Sequence, residues 1–344
     1  MALRRTLLLL LSTAVSLVVA ELALRAVGYG RITPAMNFGV NTRGALERGG
    51  FEPHGTLFWT LPARPAPVDQ AVHAVHPRRP VAPKGERRRV IVLGDSCSRI
   101  SIESLPYSAT LERLLGPRWE VLNAAVPGYT SHQGLAWLRL QLLDLGPDLV
   151  VVYFGWNDHW RATGLTDREY ERRQASGRPR LLALLDRRPA TPPLRVPLPQ
   201  YAQNLQAMVT AISAQGAQVV LVAAPHALTG EARQRLVETG YILPDEQPGP
   251  LHESYLAAVR RFAGQQGVAV LAADRLVAAL ADRAPLLMRD GIHLTDAGHA
   301  VLAAALAELI MTGTGADGTL APPLVAAGGA ALAAVTAGTT EAAP

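Results

Sequence analysis

Residues 89–96 read Arg89-Val-Ile-Val-Leu-Gly94-Asp95-Ser96. A short apolar run, mostly β-branched and stopped by glycine, predicts a buried strand. Four comparable runs follow, at 119–123, 149–154 (between Pro147 and Gly155), 218–223 and 268–271. Their apolar residues are continuous rather than alternating, as expected of strands covered on both faces. Helical patterns lie between them. Leu135, Leu138, Leu142 and Leu145 share one face, with Ser131 as a candidate N-cap and Gly146-Pro147 as a stop; Leu256, Val259 and Phe262 share another. Thr295 is placed to cap a last helix ending near Ile310, with Asp296 in its first turn. Strands alternating with helices predict an α/β fold, a parallel sheet of about five strands with helices on both sides.

Composition narrows the class. The chain has 344 residues, 49% hydrophobic and 18% charged, enough apolar content for a full core. A single cysteine excludes an internal disulfide framework and a Cys-based structural zinc site. The formal charge of +5 comes from 33 Lys and Arg, of which Lys84 is the only lysine. The arginines are scattered rather than interleaved with aromatics along one stripe, which argues against a nucleic-acid partner.

At the N-terminus, Arg4 and Arg5 precede an uncharged run over residues 6–20. That length suits the core of a signal peptide, and Val18 and Ala20 fit the cleavage positions. The apolar pattern nonetheless continues through Leu22, Leu24 and Val27, and Glu21 and Arg25 stand i, i+4 where they can neutralise each other, which suits an uncleaved signal anchor. Both readings of residues 1–27 put the positive end in the cytoplasm and the body outside, in the periplasm or beyond. With the anchor retained, the membrane is a partner. Residues 28–87 carry seven prolines from Pro53 to Pro83 and read as a stalk or a surface wrap, with Phe58 and Trp59 marking a docked part. His73 and His76 sit in this stretch without partners and read as a surface linker rather than a metal site. Residues 161–200, with 13 charged residues and six prolines, read as an insertion over the sheet rim, a lid or substrate wall, or a solvated excursion. Residues 312–344 are Ala, Gly and Thr with few charges and read as disordered, so Gly313-Thr-Gly315-Ala-Asp-Gly318 within them is not a dinucleotide loop.

Parallel sheets bind ligands beyond the strands' carboxyl ends. Gly94-Asp95-Ser96 follows the first strand, Asn123 to Gly128 the second, Gly155-Trp156-Asn157-Asp158 the third, and Asp290-Gly-Ile-His293 stands before the last helix. Acyl transfer needs this set: a serine, a base for its proton and a carboxylate to orient the base. The backbone N–H groups of Ser96 and Gly128 and the Asn157 amide are candidate donors to an oxyanion, glycine allowing close approach. Asp95 and Asp158 are assigned to loop scaffolding, His299 to packing or capping, and Cys97 to a small buried site rather than to chemistry.

These four blocks, in order over residues 88–311, resemble the SGNH (GDSL-type) hydrolases. The resemblance implies a flavodoxin-like three-layer α/β/α sandwich and ester hydrolysis without a cofactor. It implies Ser96 as nucleophile, Asp290 and His293 as its triad partners, and Ser96, Gly128 and Asn157 as the oxyanion hole. Cys97-Ser98 departs from the family pattern, in which threonine is common two residues after the nucleophile. The substrate class it implies is an acylated carbohydrate or lipid ester. Two other functions stay open. One is an O-acyltransferase on an envelope polysaccharide, in which Asp and His often stand one residue apart instead of the Asp-x-x-His found here. The other is a non-catalytic envelope binding domain. Trp156, Trp160 and Tyr129 are either an aromatic substrate wall or core. The oligomeric state is not readable from the sequence.

Overall fold

The computed structural model describes residues 1–186, 189–279 and 286–312. The Ala/Gly-rich tail and its glycine motif, apart from Thr312, lie outside the described residues. Five parallel strands form the central sheet: β1 (Arg88–Gly94), β2 (Trp119–Asn123), β3 (Leu149–Tyr153), β4 (Gln218–Val222) and β5 (Ala269–Leu271), in the order β2-β1-β3-β4-β5. The register sets Val90 beside both Leu149 and Val121, and Val151 beside Val220.

The continuous apolar runs have a simple cause. Successive strand side chains point to opposite faces, and both faces are buried. Val90, Val92, Leu149, Val151, Val220 and Val222 pack into one core with helices α1 (Tyr107–Leu115) and α2 (Asp296–Thr312). Ile91, Leu93, Val150, Val152 and Leu221 pack into a second with α3 (Ser131–Trp137), α4 (Leu198–Ser213) and α5 (Pro248–Gln266). Each such residue taken out of water contributes about 1.5–3 kcal/mol before chain entropy is counted. The result is three layers, helices over sheet over helices.

Helix α3 starts one residue earlier than expected. Its cap is Thr130, whose Oγ1 accepts from the Gln133 N–H (3.4 Å) while the Gln133 side chain accepts from the Thr130 N–H (3.2 Å). Ser131 is instead bound to Asp158. Gly146, left-handed at φ 64°, ends the run that continues α3. Thr295 caps α2, accepting from the Gly298 N–H at 3.2 Å.

Residues 2–26 form one helix with no buried residue, long and apolar enough to cross a membrane, a property shared with signal sequences. It runs on through Glu21 and Arg25, which pair at 2.7 Å. At 1.5 Å per residue it spans about 37 Å. The Pro-rich stretch that follows is held against the sandwich. A hairpin of Glu52–His54 and Phe58–Thr60 leads Leu57, Phe58 and Trp59 into the second core. Farther on, Ala74 pairs with Asn123 along the outer edge of β2, covering backbone groups that an edge strand leaves open. His76 does not lie in a surface linker. It is buried, with Nε2 against the Leu61 carbonyl (2.9 Å) and Nδ1 accepting from the Arg78 N–H (3.1 Å).

Candidate active site

The carboxyl edge of the sheet gathers the sequence blocks. Ser96 opens a single 3-10 turn directly after β1, and Asp95 caps that turn by accepting from the Cys97 N–H at 2.9 Å. Gly94 is small for a reason: a Cβ there would meet Ser98 Oγ at 2.6 Å and the Tyr153 carbonyl at 3.0 Å. Across the edge, the loop before α2 carries Asp290 and His293. Asp290 Oδ1 accepts from the N–H groups of Ile292 (2.9 Å) and His293 (3.0 Å), and Oδ2 meets His293 Nδ1 at 2.6 Å. His293 Nε2 lies 2.8 Å from Ser96 Oγ. Burial pushes the Asp290 carboxyl up, but the bonds from His293 and the two backbone N–H groups outweigh it and leave it below its ordinary value. An ionised carboxylate only accepts, so His293 Nδ1 carries the proton and Nε2 is left to accept from the serine hydroxyl.

Asn157 and Gly128 flank the serine. Asn157 Nδ2 donates to Asp95 Oδ2 at 2.9 Å, so one buried carboxylate fixes both the serine turn and the asparagine amide. Burial raises that carboxyl to about 6. Gly128 sits at φ 81°, and a Cβ on it would come within 3.1 Å of the Trp59 ring. The N–H groups of Ser96 and Gly128 have no acceptor among the described residues. Asp158 lies one layer back, holding the Ser131 N–H (3.0 Å) and hydroxyl, and burial raises it to about 7. Cys97 is fully buried and its thiol is pushed far up by burial, which removes it as a nucleophile. His299, in the first turn of α2, accepts from the Tyr107 N–H at the start of α1 and donates to the Ile100 carbonyl.

Ser96, Gly128, Asn157, Asp290 and His293 line a cavity of about 600 Å³. Trp156, Trp160 and Tyr241 stack in a row at its edge, with neighbouring rings 5.5 and 5.3 Å apart; both tryptophans are buried in the first core, and Phe51, Arg235 and Glu238 complete the rim. Tyr129 is not part of this wall: it is core, and its hydroxyl donates to the Trp59 carbonyl at 2.6 Å. Nor do the described residues of the 161–200 insertion line the cavity. Its 3-10 segment Arg180–Leu185 lies on the N-terminal helix instead, with Leu181 N–H on Glu21 and Arg180 on the Gly30 carbonyl. Behind Trp156, His252 stacks at 3.7 Å, donates to the Ala224 carbonyl and accepts from His159. Burial lowers His159 to about 3 and holds His252 well below the ordinary imidazole range, so both rings favour the neutral form. Phe51, Tyr241, Arg235 and Glu238 carried no sequence signal, because each lies outside the four blocks and far along the chain from Ser96, Asn157 and His293. Among the described residues no group of three or more His, Cys, Asp or Glu is placed to share a metal ion.

Fold and edge residues together define a hydrolase. The family model of the GDSL-like lipase/acylhydrolase family matches residues 92–301, and the chain belongs to that family. Among solved structures, the chain is similar to the lipase/acylhydrolase from Enterococcus faecalis: 21% identity, 65% of this chain and 95% of that chain covered, TM-score 0.46. It is also similar to a catalytic mutant of Axe2, an acetylxylan esterase from Geobacillus stearothermophilus, at 19% identity, 66% and 95% coverage and TM-score 0.43. A third is LAE5, an alpha/beta hydrolase enzyme from the metagenome of Lake Arreo, at 20% identity, 64% and 93% coverage and TM-score 0.43. No curated protein matches the sequence.

Proposed function

We propose that the protein is an exported serine esterase in which Ser96, His293 and Asp290 act as a triad. The observation that carries this is the unbroken hydrogen-bonded run from Ser96 Oγ through both ring nitrogens of His293 to Asp290, at 2.8 and 2.6 Å, opening on the cavity. Ser96 Oγ attacks the ester carbonyl as its proton passes to His293 Nε2. Asp290 holds the ring and stabilises the imidazolium. The carbonyl oxygen becomes an oxyanion facing the N–H groups of Ser96 and Gly128 and the Asn157 amide. Collapse expels the alcohol, which takes the proton from His293. Water then repeats the sequence on the acyl-enzyme and releases the acid.

For substrate we propose an acylated carbohydrate before a lipid ester. The cavity rim supports this: Tyr241, Arg235 and Glu238 set one aromatic ring beside two charged groups that can hydrogen-bond hydroxyls. We place the catalytic domain at 88–311, outside the cytoplasm, tethered by residues 1–27 as an uncleaved anchor. The apolar helix behind Arg4 and Arg5 supports export, and its unbroken course through Ala20 to Ala26, past the residues that fit a cleavage site, supports retention. The test is a panel of acetylated sugars and acyl glycerols run with wild type and Ser96→Ala. Hydrolysis by wild type that falls at least a thousandfold in Ser96→Ala supports the mechanism, and equal rates overturn it. The same panel run with a sugar acceptor separates hydrolysis from acyl transfer.

A further inference from the structure

We infer that Trp59 and Arg195, one from the N-terminal wrap and one from the 161–200 insertion, are positioning residues that pre-set the oxyanion-binding N–H of Gly128. The inference rests on the reading of Gly128 as an oxyanion donor. The N–H of Gly128 belongs to the same rigid peptide plane as the Pro127 carbonyl, and the two point in opposite directions. The Trp59 indole Nε1–H donates to that carbonyl at 3.2 Å. It therefore aims the N–H from the far end of its own peptide, at no cost to the N–H itself. The next peptide is gripped too: Arg195 Nη1 donates to the Gly128 carbonyl at 2.6 Å. Both torsions of a residue with no side chain of its own, at φ 81°, are thereby held from outside.

The grip is itself rigid. Arg195 is buried, its Nε and Nη2 bind Asp167 at 3.1 and 3.0 Å, and Nη2 also reaches Gln133 at 2.7 Å. Its guanidinium lies over the rings of Phe38 (4.6 Å) and Trp59 (5.5 Å), so the two positioning groups brace each other. Trp59 lies outside the residues matched by the family model, which begins at residue 92. The wrap is thus a working part of the site rather than a tether alone.

The test uses the full chain with 4-nitrophenyl acetate as substrate and phenylboronic acid as a tetrahedral probe of the oxyanion site. Rates are divided by the sites that a fluorophosphonate titrates, so misfolded molecules drop out. Trp59→Phe and Arg195→Lys are expected to lower kcat per site about tenfold, with KM within about twofold, and to weaken phenylboronic acid by a similar factor, the scale of one lost hydrogen bond. A merely structural role moves melting temperature and titratable sites but neither ratio. Wild-type kcat per site and boronate affinity in both variants overturn the inference. If Trp59→Phe does not fold, 3-benzothienylalanine at position 59 removes only the N–H and is judged on the same two readouts. Asn157→Ala, run beside them, tells two failures apart. If it weakens the boronate while the positioning variants do not, only this inference fails. If it too is without effect, the oxyanion reading fails and this inference with it.

Discussion

A serine hydroxyl is a poor nucleophile at neutral pH, and its reactivity depends on what its neighbours do with one proton and one developing charge. At Ser96 the neighbours are few and each is held by something else. Asp95 touches no substrate, yet its two oxygens fix the serine turn and the Asn157 amide at once. Asp95→Asn puts an amide donor where a carboxylate accepts, so one of those bonds is lost; we expect kcat to fall at least tenfold with little change in KM, read from initial rates against ester concentration. Asn157→Ala removes a proposed oxyanion donor outright and is expected to cost about 2.7–4 kcal/mol in the barrier. Asp158 gives a pH prediction. Burial raises its carboxyl from 3.8 to about 7, so folding favours the protonated form. That contribution is full below the unfolded value and is lost as pH rises through the folded one. The melting temperature of wild type relative to Asp158→Asn should therefore fall between about pH 4 and pH 8; a flat difference contradicts the assignment.

Elements place these residues, and at this scale the sequence was most readable. Buried parallel strands leave continuous apolar runs, and residues just past their carboxyl ends form the site edge. Ser96, Gly128 and Asn157 could therefore be set on one edge without coordinates, and Asp290 and His293 with them from the capped helix that follows. The juxtaposition of Trp59, Arg195, Phe51 and Tyr241 with that edge was not readable, because no periodicity encodes a contact between a Pro-rich wrap, an insertion and a loop. The same limit explains Tyr129, whose position beside Gly128 suggested the cavity but whose hydroxyl turns to the Trp59 carbonyl in the core. Local detail failed at Ser131, where Thr130, one residue earlier, is the better-placed cap. The loop holding Asp290 and His293 makes an element-scale prediction. Gly291 has φ 70°, and a Cβ there would overlap the Ala227 carbonyl, whose own N–H is bonded to the Gly291 oxygen. Gly291→Ala adds left-handed strain and backbone overlap, about 3 kcal/mol together, and shifts Asp290 and His293 beside it. Denaturant unfolding measures the first and kcat per titrated site the second; we expect both to fall.

Over the whole molecule, the described residues form a three-layer body with a wrap that reaches from the N-terminal helix to the candidate site. The wrap joins its two ends: Phe51 lines the cavity and Trp59 packs on Gly128, while Gly30 binds the insertion beside the exposed helix. If that helix is a retained anchor, the full chain stays with membranes through a carbonate wash and its mass includes residue 1; a washed-out chain beginning at Glu21 contradicts retention. Activation of Ser96 by His293 is best tested by intact-mass measurement of the full chain after treatment with a fluorophosphonate. A single phosphonyl adduct is expected, mapped by peptide sequencing to Ser96 and absent in Ser96→Ala and His293→Ala. An adduct on another residue, or none on well-folded wild-type protein, would contradict it.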